Sequence, residues 1–75
     1  MTLPGMTVRI VPIRERTIRL GQLLKLADLV DVGSDAKPLL DAGRVYVNGE
    51  LETRRGRQLV RGDVVSVGDE SVRLA

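Results

Sequence analysis

At 75 residues the chain is long enough for one domain and no more. It contains no Cys, which excludes disulfides and thiolate metal sites, and with aromatics at 1% the core has to be built from Leu, Val and Ile. The net charge of +2 argues for no partner by itself, no run approaches the roughly 20 apolar residues of a membrane span, and residues 1–5 lack a secretory leader's basic and apolar blocks, so the expected location is cytoplasmic, without membrane association.

The first predicted element is a short strand over residues 7–13, with Val8, Ile10 and Pro12 on one face; Pro12 marks an edge strand or its end. After the charged link Arg14-Glu15-Arg16, Leu20, Leu23, Leu24, Ala27 and Val30 recur at helical spacing. This predicts an amphipathic helix over about 21–30, with Leu26 and Leu29 widening its apolar stripe. A second helix is expected to open at Ser34 as N-cap, to bury Ala36, Leu39 and Leu40, and to stop at Gly43; Pro38 predicts an irregular first turn or a start at Pro38 itself.

Beyond Gly43 the period becomes two. Val45-Tyr46-Val47 runs into Asn48-Gly49, a strong hairpin signal. A two-residue turn would set Val47 opposite Glu50, apolar against charged. A three-residue loop sets Val47 opposite Leu51, and alternation favours that register. A polar loop follows over residues 53–58, then Leu59 and Val60 return to the core. Gly62-Asp63 turns into residues 64–67, and a last hairpin points Val65, Val67, Val72 and Leu74 inward. The resulting order is β-α-α-β-β-β-β, an α+β fold in a single domain spanning 1–75, with residues 1–6 flexible.

The charge is banded along this order. Residues 9–25 carry net +4, residues 28–41 net −3 and residues 44–61 net +3, and the bases are nearly all Arg, whose planar fork suits phosphate. There is no His, Cys or Trp, no Gly-rich phosphate loop and no metal-ligand spacing, so neither catalysis, a cofactor nor a metal is expected. The informative segment is Arg54-Arg55-Gly56-Arg57. Three arginines cannot all be buried, and a loop that fans them outward suits the close phosphates of a folded RNA. The alternative is a solvated crossover whose arginines pair with Glu50 and Glu52.

Four stretches in order, Ser34-Asp35-Ala36-Lys37, Gly43, Val45-Tyr46-Val47-Asn48-Gly49-Glu50 and Gly62-Asp63, resemble the S-four (alpha-L) RNA-binding domain, named after ribosomal small-subunit protein four. Arg19-Leu20 is similar to that pattern's helix opening, and the match covers about 19–67. The run Leu20-Gly21-Gln22-Leu23-Leu24-Lys25-Leu26-Ala27 and the arginine loop are similar to small stand-alone bacterial members of the YaaA and YbcJ type. The resemblance implies a two-helix hairpin on a small, mostly antiparallel twisted sheet. It implies an RNA face including Arg19, Ser34, Lys37, Asn48 and Gly49 from the general pattern, and Arg54, Arg55 and Arg57 from the stand-alone members. Gly33 stands where the pattern usually has Arg, and Pro38 where it often has a basic or apolar helix residue; both shift the expected face toward the arginine loop.

The leading expectation is therefore a monomer that binds structured RNA, ribosomal or transfer RNA, by phosphate and shape contacts, within reach of a ribonucleoprotein partner. Lys25 and Arg61 join the expected contacts on charge. Two alternatives stay open: a protein module docking a basic partner through the acidic 28–41 stretch, and duplex DNA binding.

Overall fold

A computed structural model describes residues 8–30 and 36–75. Seven strands and two helices follow in the order β1 (Val8–Val11), β2 (Thr17–Arg19), α1 (Leu20–Leu26), α2 (Lys37–Asp41), β3 (Val45–Val47), β4 (Glu50–Leu51), β5 (Gln58–Val60), β6 (Val64–Val67) and β7 (Glu70–Leu74). The α+β class holds, with two strands more than expected: β2, which lies between the charged link and the first helix, and one of the five after α2. Five strands form a sheet in the order β1-β7-β6-β3-β4, antiparallel except for the parallel pair β1/β7, and β2 pairs antiparallel with β5 in a second, two-stranded sheet.

One aliphatic core is shared by both helices and every strand but β4. Leu20, Leu23 and Leu24 of α1, Leu40 of α2, Val45 and Val47 of β3, Leu59 of β5, Val65 of β6, and Val72 and Leu74 of β7 are almost completely buried. Burial of each such side chain contributes about 1.5–3 kcal/mol, which is how a chain without staples can fold. Val8, Ile10 and Pro12 do share a face of β1, but it is the outer one: Ile10 is 60% exposed, while Val11 and Ile13 reach the core. β1 is an edge strand, as Pro12 requires.

Helix α1 is shorter than its apolar period. Asp28 takes φ +60°, its N–H donates to the Lys25 carbonyl (3.1 Å), and the Leu29 N–H donates to Leu24 (2.9 Å). This is a Schellman stop with Asp where Gly is usual, so the sequence carries no visible break. The Arg9 guanidinium donates to the Ala27 carbonyl at 2.6 Å and seals the same end. Leu26, expected in the apolar stripe, is 56% exposed; Leu29 and Val30 pack against the core only after the chain has turned. Val60 is also largely exposed, because β5 buries Leu59 alone. In α2, Pro38 occupies the first turn, where its missing N–H costs nothing, and Gly43 follows the helix at φ +71°. The expected cap Ser34 lies outside the described residues.

The hairpin overturns the three-residue loop. Val47 faces Glu50 and Tyr46 faces Leu51, across a two-residue turn with Asn48 at φ +52° and Gly49 at φ +84°. Both central residues are left-handed, the type I′ geometry that matches strand twist. The Asn48 side chain fixes the turn to the next one: its Oδ1 accepts from the Val64 N–H (2.9 Å) and its Nδ2 donates to Asp63 (3.1 Å), whose other oxygen accepts from the Val60 N–H (2.9 Å). A Cβ added at Gly49 would meet nothing within 4 Å. Gly49→Val should therefore lower stability by roughly 1 kcal/mol or more through backbone strain alone, read as a shifted urea midpoint.

Candidate nucleic-acid interface

The two-residue turn decides what happens beyond β4. It puts Glu50 and Glu52 on the side of β3 that carries Val47 and Val45, and the Glu52 N–H donates to the Val45 carbonyl (2.9 Å). Glu52 is 5% exposed, the one buried charged residue among those described. Its carboxylate accepts from the backbone N–H groups of Thr53 (3.0 Å) and Arg54 (3.1 Å). It also accepts from Arg54 Nε (3.2 Å) and Nη2 (3.3 Å), and from Arg57 Nη1 (2.9 Å). Hydrogen bonds from the Arg54 and Arg57 guanidinium groups hold its pKa down at about 2, against the burial that would raise it. The same bond pushes the Arg54 guanidinium pKa up.

The arginine loop is fastened on its other side to the start of α1. The Leu20 N–H donates to the Arg57 carbonyl (2.8 Å) and the Gly21 N–H to the Arg55 carbonyl (2.9 Å), so two N-terminal donors without helical partners are satisfied by the loop. The Gln22 side chain accepts from the Arg19 N–H at 3.3 Å and closes the turn. Pairing of β2 with β5 sets Arg19 beside Gln58, immediately after the loop.

This arrangement opens a groove of about 260 Å³ lined by Arg19, Gly21, Gln22, Lys25, Ala36, Arg55 and Gly56. Three expected cations meet here: Arg19 from the end of β2, where it caps α1, Lys25 from the last turn of α1, and Arg55 from the loop. All three residues are exposed. A concave site lined by three cations can hold phosphate groups closely spaced by a folded backbone.

The other expected contacts are distributed differently. Lys37 is exposed next to groove-lining Ala36 and pairs with Asp41 (2.9 Å). Arg54 keeps an exposed side chain while bound to Glu52, whereas Arg57 is half-buried on it. Arg61 Nη2 donates to the Ile13 carbonyl (2.8 Å) and to that of Arg14 (3.4 Å), holding the β1–β2 link. Both polar ends of Asn48 are occupied by the turn, and Gly49 serves its geometry. Ser34 falls outside the described residues, as does the middle of the acidic 28–41 stretch. Sequence reading had Glu52 as a partner of the arginines only in a solvated crossover and missed its burial; it missed the part played by Gln22. The Asn-Gly dipeptide was the available signal for Glu52, since a two-residue turn sets Glu52, just past β4, beside buried Val45.

Fold and groove together define a small α+β module with a cationic recess where a helix start meets a loop. The chain belongs to the S4 domain family, whose model matches residues 11–75. It is 47% identical over 57 residues to RlbA of Bacillus subtilis (strain 168), named as a probable ribosome maturation protein, covering 76% of this chain and 80% of that one. It is 37% identical over 57 residues to YbcJ of Escherichia coli (strain K12), which carries the name "putative RNA-binding protein", covering 76% and 81%. Neither name denotes an enzyme. Among the described residues no helix is long and apolar enough to cross a membrane.

Proposed function

We propose that this protein binds structured RNA, ribosomal or transfer RNA, in the cytoplasm and as a monomer. It does so by phosphate and shape contacts through the groove between α1 and the arginine loop. The observation that carries the reading is the convergence of Arg19, Lys25 and Arg55 on one recess, which solubility does not require. Exposed Lys37 follows groove-lining Ala36 in the chain, and exposed Arg54 precedes groove-lining Arg55. The name of the Bacillus subtilis relative supports ribosomal RNA as the target. The lone Tyr46 offers no stacking platform for single strands, which favours recognition of a folded backbone over reading of bases.

The experiment is affinity for transfer RNA as a function of salt. With about three to five phosphate contacts, log affinity should fall against log salt with a slope of roughly −2 to −5, and Arg55→Ala should flatten it by about one contact's worth. A slope near zero would reduce the arginines to ordinary surface charge. Equal competition by duplex DNA would move the assignment from RNA to nucleic acid in general.

A further inference from the structure

We propose that Glu52 is a positioning residue for RNA binding, holding the arginine loop so that Arg55 stands in the groove with Arg19 and Lys25. This rests on the groove being the RNA site. Glu52 is out of place there by charge alone, since a carboxylate beside an anion site weakens it at long range. Its surroundings give it another task.

The carboxylate grips the loop on both sides of Arg55. Upstream it takes the N–H groups of Thr53 and Arg54 and the Arg54 guanidinium; downstream it takes Arg57 Nη1. The loop is also closed by the Arg57 N–H donating to the Arg54 carbonyl (3.2 Å). The carbonyls of Arg55 and Arg57 are then held by the Gly21 and Leu20 N–H groups. Between the two arms of the carboxylate stand two residues, Arg55 and Gly56, and these are the loop residues that line the groove. Burial at 5% exposure makes the anchor rigid, because a carboxylate with five donors and little water has few other arrangements. A fixed Arg55 loses little freedom on meeting phosphate, whereas a loose one must be ordered each time.

The test is a double-mutant cycle on transfer RNA binding with Glu52→Gln, Arg55→Ala and the pair combined, each checked for a folded amide spectrum. Glu52→Gln should weaken binding about tenfold even though it makes the protein more positive. Its salt slope should flatten as Arg55→Ala does, and the double variant should bind no more weakly than Arg55→Ala. If Glu52 only offsets positive charge, Glu52→Gln binds more tightly, and the proposal is overturned. Losses that simply add would also overturn it, since Glu52 would then not act through Arg55. Should Glu52→Gln fail to fold, the cycle is run with Glu52→Asp, which keeps the charge but withdraws the carboxylate by one methylene. Wild-type affinity in that variant would sink the idea. An Arg55→Ala variant that binds like wild type overturns the groove as RNA site instead, which keeps the two failures distinguishable.

Discussion

Changing Arg19, Lys25 and Arg55 together to Ala should lower affinity for transfer RNA on the order of 100-fold at low salt and flatten the salt dependence by roughly 2 to 3. The fold should survive. All three residues are exposed, and the carbonyls through which residues 55 and 57 hold α1 belong to the backbone and remain. Each substitution should move stability by no more than roughly 0.5 kcal/mol. Stripping the loop itself of Arg54, Arg55 and Arg57 would be a poorer experiment. It would leave Glu52 buried without its guanidinium partners, and an uncompensated buried charge costs about 3–5 kcal/mol. A groove triple variant that binds normally while folded, measured by filter retention or anisotropy across a salt series, would place the RNA elsewhere.

Acid should weaken the protein through Glu52. Its carboxyl titrates at about 2 in the fold against an ordinary 4.5, so the folded state binds a proton less readily than the unfolded chain. The resulting stabilisation is full above the ordinary value and is lost as pH falls through the window from about 5 to about 2. The lowering from 4.5 to about 2 corresponds to roughly 3 kcal/mol at neutral pH, a large share of what a chain this small retains. Urea unfolding of wild type and Glu52→Gln from neutral pH to pH 2.5 reads this directly. The two should differ most at neutral pH and converge with acidification. A difference that stays constant over that range would mean that the arginines do not hold the carboxylate as the geometry indicates.

Much of the architecture was legible because it rests on local chemistry. Leu20, Leu23 and Leu24 at helical spacing, Gly43 as a stop, and Val65, Val72 and Leu74 alternating toward the core follow from period and turn preference. What escaped depends on partners remote in sequence or on residues used against type. β2 is a strand because β5 lies beside it, not because Thr17-Ile18-Arg19 announces one. Asp28 ends a helix from a conformation usually reserved for Gly. The hairpin register was misjudged because Glu50 opposite Val47 looked unfavourable, yet Glu50 lies exposed beside the turn. The acidic residue that the register does bury is Glu52, and Arg54 and Arg57 meet its charge. The candidate site divides the same way: the cationic character of Arg19, Lys25 and Arg55 could be read from the sequence, whereas their meeting in one groove needed the β2/β5 pair.

The parallel pairing of β1 with β7 bears on how the molecule comes into being. Val8 sits in register with Ser71 and Val11 with Leu74, and the Ala75 N–H donates to the Val11 carbonyl (2.9 Å). Nearly the full length of the chain separates these partners. Closing so long a loop is entropically costly and slow, and during synthesis β1 has to wait, with one apolar side uncovered, until residues 70–75 have left the ribosome. Completion of the sheet is therefore a late folding event. Until then Leu24, Val45 and Leu59 can gather around the hairpin and the arginine loop, so the half that carries the groove has the means to form before the edge that finishes the fold.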